Sequence, residues 1–302
     1  MKVFITGASG HVGSAVVPEL LSNGHEVVGL ARSDASAAAL ERAGAEVRRG
    51  DLDDLDGLRE AAAAADGVIH LAFKHDLMAT GNMDGAIGTD RAVIDAIGDA
   101  LAGSGKPFVG TSGTLMLVFA GVQGRDGTED DFGQGGRADN ENAVVALADR
   151  DVRSSVIRLP PTVHSELDRV GFVPSLIAIA REKDVSAYVG EGANRWPAVH
   201  TLDAAHLYRL ALESAPAGTR LHANDDAGVP FKDIAEAIGR GLGVTTQSIA
   251  PEEADAHFGF LGPIVQLDNP TSNAKTRELL GWEPTHPKLI ADIDSGHYFE
   301  QR

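Results

Sequence analysis

Short apolar runs alternate with helix-spaced stretches along the first third of the chain. Val3-Phe4-Ile5 is an unbroken apolar run, and Val12, Ala15, Val16, Val17, Leu20 and Leu21 follow at helical spacing. Residues 26–30 read as a second buried strand, 35–43 as an alanine-rich helix closed by Gly44, and 46–49 as a short third strand. A helix over 55–65, a strand over 67–72, a long helix over 83–101 and a fifth strand over 108–111 continue the series. Strands covered on both faces are apolar throughout, and strict alternation with helices requires right-handed crossovers. The pattern predicts an α/β fold built on a doubly wound parallel sheet.

The rhythm changes after residue 110. Residues 121–136 are rich in glycine and acid with little periodicity, which predicts a long loop, either a lid or a mobile insertion. A helix resumes over 138–149, and a strand over 154–159 stops at Pro160-Pro161. Beyond it helices are expected over 175–183, 203–212, 231–242, 251–258 and 272–280, with extended segments over 196–201 and 219–223. This divides the chain into a nucleotide-type domain, 1–160, and a small substrate lobe, 161–302, some of whose segments return to the sheet.

Composition narrows the partners. The 302 residues carry 44 acidic against 26 basic side chains, a formal charge of -18. Such a surface repels phosphate backbones and anionic lipid, so neither nucleic acid nor membrane is an expected partner, and a small molecule is. It also means that an anionic ligand must be held by local positive features. Without cysteine there is no disulfide framework, no thiolate nucleophile and no cysteine-based zinc site. No apolar run approaches membrane-spanning length, and a strand starting at residue 2 leaves no room for a leader, so a cytoplasmic location is expected. No His/Asp/Glu spacing predicts a metal, and oligomeric state is not legible.

Thr6-Gly7-Ala8-Ser9-Gly10-His11-Val12-Gly13 joins the first strand to the first helix. A turn in that context brings backbone N–H groups and the positive end of a helix to a pyrophosphate. Gly7 permits the tight turn, Gly10 lets phosphate approach the main chain, and Gly13 lets the helix lie close to the strand. The spacing is G-x-x-G-x-x-G. We therefore assign Thr6, Gly7, Ser9, Gly10, His11, Val12 and Gly13 to a dinucleotide. At the end of the second strand, where a carboxylate would bond a ribose 2′-OH, stand Arg32 and Ser33, with Asp34 slightly late. Guanidinium and hydroxyl suit a phosphate monoester, which predicts NADP in preference to NAD. Asp51 and Leu52 follow the third strand, placed to reach the adenine, although the acidic run equally suits a helix cap.

These residues resemble the short-chain dehydrogenase/reductase superfamily, and within it the extended branch of NAD-dependent epimerase/dehydratase-like proteins. The resemblance is carried by Thr6-Gly7-x-x-Gly10-x-x-Gly13, Gly50-Asp51-Leu52, Val68-Ile69-His70-Leu71-Ala72, Val109-Gly110-Thr111-Ser112-Gly113, Val156-Ile157-Arg158-Leu159-Pro160 and Trp196-Pro197-Ala198-Val199-His200. It implies a Rossmann-like domain with a small C-terminal substrate lobe, with Leu71 and Ala72 beside the cofactor. It also implies a substrate-bonding role for Ser112, with Thr111 and Thr114 as neighbouring candidates.

The departure from that pattern is large. Members that transfer hydride use a Tyr-x-x-x-Lys pair, the tyrosine as general acid/base and the lysine on the nicotinamide ribose. This chain has three tyrosines, Tyr188, Tyr208 and Tyr298, and the residues four positions on are Gly192, Leu212 and Arg302. Arg137 and Glu141 stand where the pair would be, and an arginine cannot shuttle a proton near neutral pH. The resemblance is thus to atypical members that keep the cofactor site. Three functions are expected: an NADP-dependent oxidoreductase for a small carbonyl or hydroxyl substrate, a non-catalytic NADP sensor, or an epimerase using nicotinamide transiently. Lys74 and His75 after the fourth strand, Tyr188, and a cleft shaped by Trp196, Pro197 and His200 are further candidates, each with an ordinary structural alternative.

Overall fold

The computed structural model describes residues 1–300. In chain order the strands are β1 (Lys2–Thr6), β2 (Glu26–Ala31), β3 (Glu46–Arg49), β4 (Gly67–His70), β5 (Pro107–Gly113), β6 (Arg153–Leu159), β7 (Thr162–His164), β8 (Val185–Val189), β9 (Arg195–His200), β10 (Thr219–His222), β11 (Asp226–Pro230) and β12 (Thr245–Ile249). Seven of them form one parallel sheet in the order β10-β6-β5-β4-β1-β2-β3. The chain winds outward from β1 through β2 and β3, then returns to β4 on the other side. The carboxyl ends of β1 and β4 therefore flank the switch point, where sheets of this kind bind ligands.

The strand pleat explains the unbroken apolar runs. Val3 and Ile5 on β1 point into one layer, with Val16 and Leu20 of the Gly13–Ser22 helix and Leu207 and Ala211 of the Thr201–Ser214 helix. Phe4 between them points into the other, with Leu58 of the Leu55–Ala64 helix and Val93 and Ile97 of the Met83–Leu101 helix. Val109 and Phe108 on β5, and Ile157 and Val156 on β6, divide in the same way. Alternation of period two carries every second side chain to the opposite face, and here both faces are covered. This is the Rossmann-like α/β fold.

Residues beyond 160 go two ways. β10 adds to the edge of the parallel sheet beside β6, with Leu221 opposite Ile157, and the Thr201–Ser214 helix covers one sheet face. The remainder builds a separate core on the three-stranded sheet β11-β9-β7 and the β12-β8 pair, centred on Val173, Leu176, Trp196, Phe231, Ile234 and Phe258. Trp196 is fully buried, its ring 5.0 Å from Phe231 and 5.6 Å from Phe172, so it is core packing rather than a cleft wall. Tyr188 lies on β8 in this lobe, with the Lys232 ammonium 5.7 Å from its ring.

Residues 121–136 form the expected loop, but not a free one. Gly127 N–H donates to Pro270 O and accepts at its own carbonyl from Ser272 N–H, both at 2.8 Å. Buried Glu129 accepts the N–H and hydroxyl of Thr276 at 2.8 Å each, and the Asp131 carbonyl accepts from Arg158 at 2.7 Å. The loop is thus tied to the C-terminal segment and to β6, which argues against the free lid or mobile insertion that its composition suggested. Among the described residues no helix is long and apolar enough to cross a membrane.

Candidate dinucleotide site and the adjoining sheet edge

The three glycines of the first turn do different things. Gly7 has a φ of +71°, and a Cβ there would lie 2.7 Å from the Ala72 nitrogen. A Cβ on Gly13 would fall 2.2 Å from the Gly7 carbonyl oxygen. Both absences are demanded by the fold itself. Gly10 is exposed, and its Cβ would meet only the Gly7 oxygen, at 3.2 Å. Its bareness keeps the outer surface of the turn flat.

The helix that follows is uncapped. Val12 at the cap position offers no side-chain acceptor, and the first turn holds no acid. Gly10 N–H bonds the Gly7 carbonyl and Ser14 N–H bonds the Gly10 carbonyl, but among the described residues no acceptor faces the N–H groups of His11, Val12 and Gly13. Free N–H groups and the helix dipole make a local positive site in a strongly acidic chain. Half-buried Leu71 and Ala72 form the opposite wall, within touching distance of Gly7.

Two side chains of the motif are committed inward. Thr6 Oγ1 lies 2.6 Å from His70 Nδ1 and accepts Ala72 N–H at 3.3 Å. His70 Nε2 is 3.0 Å from Asp90 Oδ1, and Asn140 Nδ2 donates to Asp90 Oδ2 at 2.8 Å. Burial opposes ionisation of Asp90, yet the His70 bond, the Arg137 charge and the Asn140 bond more than offset it, and its pKa stays below the usual value. An ionised carboxylate only accepts, so His70 donates from Nε2 while its Nδ1 is tied to the Thr6 hydroxyl. Thr6 therefore shapes the turn from below. The His11 ring points to the lobe, 2.9 Å from Thr201 Oγ1 and 3.8 Å from Asp168 Oδ1. Burial, with the His164 charge, lowers its pKa to about 4, so the ring is neutral. Asp168, bonded by Gly171 N–H and the Tyr298 hydroxyl, is pushed up by burial to about 6.

At the far end of the crevice Arg32 is exposed, with its Nη1 3.5 Å from Asp76 Oδ2. Asp34 pairs with Arg49 instead. Ser33 caps the Asp34–Ala43 helix by accepting Ser36 N–H at 3.1 Å. Ser9 is exposed on the turn. Asp51 accepts Asp53 N–H at 2.8 Å, and the Leu52 side chain is buried with Val28, Leu30 and Leu58. Lys74 is taken up by Asp53, 2.6 Å from each carboxylate oxygen, and burial beside Arg137 lowers the pKa of His75.

Ser112 is only 4% exposed, beside the Glu141 carboxylate that it helps hold ionised, with no hydrogen bond of ordinary geometry. Thr114 donates to Asn269 Oδ1 at 2.7 Å, and Thr111 Oγ1 bonds the His70 carbonyl and the Tyr208 hydroxyl at 2.8 Å each. Burial raises the pKa of the Tyr208 hydroxyl, and burial with the Asp168 charge raises that of Tyr298. Glu141 accepts twice from Arg158, at 2.6 and 3.0 Å, and once from Arg220 at 2.7 Å. It is a buried structural anchor. Arg137, the first residue of the Arg137–Ala146 helix, lies between the ends of β4 and β5: its guanidinium is 4.3 Å from the Phe73 ring centroid, and Nη2 donates to Thr111 O at 3.4 Å.

His200, Asp203 and His286 form the group with metal-type donors. The two imidazoles are stacked at 4.7 Å with planes 8° apart, so no one point lies in both ring planes. Asp203 is occupied by Thr285 N–H, His286 N–H and His286 Nδ1, and His200 Nδ1 accepts Leu202 N–H. Here they tie a turn to a helix start.

Residues 3–92 match the model of the NAD dependent epimerase/dehydratase family. An uncharacterised protein of Schizosaccharomyces pombe is 46% identical over 299 residues, covering 99% of this chain and all of that one. The sterol-4-alpha-carboxylate 3-dehydrogenase (decarboxylating) of Dictyostelium discoideum is 26% identical, over 82% of this chain and 78% of that enzyme. Among solved structures, the UDP-glucose 4-epimerase of Thermotoga maritima superposes with a TM-score of 0.79 at 18% identity, over 99% and 98% of the two chains.

Proposed function

Because the chain belongs to the NAD-dependent epimerase/dehydratase family, we propose that it is an NADP-dependent oxidoreductase acting on a small carbonyl or hydroxyl compound. The observation that carries this reading is the uncapped helix after the flat face of Gly10, at the switch point of the sheet. The cofactor, when bound, supplies hydride chemistry. The N–H groups of His11, Val12 and Gly13 hold its pyrophosphate, Leu71 and Ala72 line the opposite wall, and the backbone of Asp51 and Leu52 faces the adenine.

The choice of NADP rests on Arg32. Its guanidinium is exposed and held only loosely by Asp76, and the acid nearest in sequence, Asp34, is neutralised by Arg49. Both arginines border the place of a 2′-phosphate. Replacing Arg32 by alanine lowers NADPH affinity by about tenfold while leaving NADH affinity unchanged. Titration of nucleotide fluorescence measures both, and equal losses would overturn the assignment.

Ser112 is buried beside Glu141 with no hydrogen-bond partner of its own, so we keep its hydroxyl as a group that bonds substrate. Single-turnover absorbance of bound NADPH across aldehydes, ketones and oxo acids tests turnover. Oxidation supports the reading. Tight binding without oxidation on any substrate favours a sensor, which Arg137 in place of the tyrosine would suit. Product without net cofactor change favours an epimerase.

A further inference from the structure

Arg137 has few direct partners for a cation in its place, although its charge helps keep Asp90 ionised. It is a cation at the first position of a helix, against the positive end of the dipole. Burial lowers its pKa, and its Nε is enclosed without an acceptor. Among the described residues no carboxylate lies within salt-bridge distance of it, although Asp90 and Glu141 attract it from farther away. Both of those acids are already satisfied, Asp90 by His70 and Asn140, Glu141 by Arg158 and Arg220. Its hydrogen bonding to the protein is the one 3.4 Å bond to Thr111 O, so most of its five donors are unused. Arg137 is half-buried with its Nε enclosed, and a guanidinium drawn out of water without a partner costs roughly several kcal/mol, less what solvent at its exposed end restores.

The location says what supplies the missing charge. Phe73 and Thr111 place the guanidinium at the carboxyl ends of β4 and β5, on the side of the switch point away from Arg32. The other cations nearby are spoken for: Lys74 by Asp53, Arg158 and Arg220 by Glu141, and Lys275 by Asp130. His75 is held neutral. A lone planar fork of donors matches one carboxylate, whereas a phosphate dianion would need a second positive group.

Resting on the oxidoreductase reading above, we infer that Arg137 is a substrate-binding residue that takes a single carboxylate, so that the substrates are oxo acids or hydroxy acids rather than neutral carbonyls. The acid would be drawn against the overall negative field by this one local cation at the ends of β4 and β5.

The test is binding, read separately from turnover. Calorimetry with oxamate and malonamate, unreactive mimics of α-oxo and β-oxo acids, is run on the protein with and without NADPH, with the uncharged oxamide as control. The native protein binds at least one of the two acids and not oxamide. Arg137→Met lowers that affinity by at least about tenfold and Arg137→Lys by less, while NADPH affinity changes little. The melting temperature of Arg137→Met stays level or rises, because an unpaired charge has been removed; a structural arginine would lower it. Equal affinity in native and Arg137→Met proteins, or no acid bound by the native protein in either form, overturns the inference. Should Arg137→Met fail to fold, Arg137→Gln and Arg137→Lys carry the same comparison. Acid binding through Arg137 in a protein that takes no NADPH would sink the cofactor reading and leave this one standing.

Discussion

Two hydroxyls one residue apart show how finely the site is set. Thr111 and Ser112 lie on opposite faces of β5, so the pleat sends one to Tyr208 and the other to Glu141. Their order in the sequence predicts a polar strand end; which face carries which hydroxyl depends on register with β6. The glycine turn was legible because its requirements are local. Its three members are nevertheless unequal, and substitution separates them. Gly13→Ala forces a Cβ against the Gly7 carbonyl and destabilises the protein by about 2–3 kcal/mol in urea unfolding. Gly10→Ala shifts stability by less than about 1 kcal/mol, yet covers the flat face and weakens NADPH binding. A Gly10→Ala protein that binds NADPH normally would remove the phosphate from that face. Arg137 marks the opposite limit: its residue type was visible, but its lack of a partner is a property of its neighbours in space.

At the level of elements, the alternating strands and helices were readable because each buries its own short-range pattern. The ties between them were not. Glu141 on the Arg137–Ala146 helix, Arg158 on β6, Arg220 on β10, and the Thr128 and Asp131 carbonyls of the 121–136 loop meet around one buried pair. No periodicity announces a contact between residues 79 apart in sequence. The composition of 121–136 suggested freedom because glycine and acid are usual in solvated loops, whereas its Glu129 is buried on Thr276. Glu141→Gln leaves two guanidiniums short of a counter-charge and costs about 3–5 kcal/mol of stability. Amide exchange over 121–136 should quicken in the same variant, since the Arg158 bonds hold that loop; unchanged exchange would show that Pro270, Ser272 and Thr276 suffice.

The whole molecule carries its acid sensitivity in histidines kept neutral by burial. His11 and His200 are both lowered to about 4, and His222 is pushed the same way by burial and Arg158. Unfolded, each binds a proton near pH 6.5, so between that pH and about 4 the unfolded chain holds more protons and stability rises with pH. Asp168, raised to about 6, acts in the opposite sense, since the folded form holds its proton longer. With His75 and His257 lowered by burial as well, the histidines outnumber Asp168 and the raised Asp225. The urea midpoint should therefore climb from about pH 5 to pH 7 and level off above it. A midpoint that is flat or falling across that interval would mean these rings are protonated in the folded state.

The position of β10 has a consequence for how the chain reaches this state. The parallel sheet is finished by residues 219–222, after the chain has left it to build β7, β8 and β9. During synthesis, then, β6 waits with its outer N–H and C=O groups unpaired until some sixty further residues have emerged. An open edge of that kind invites pairing with another chain. A polypeptide halted after Leu159 would display this edge permanently, along with the Val109 and Ile157 surface that the Thr201–Ser214 helix covers. Although residues 1–159 hold six of the seven strands in sequence order, that piece should self-associate, and the last strand is better regarded as the clasp that closes the edge of the first six.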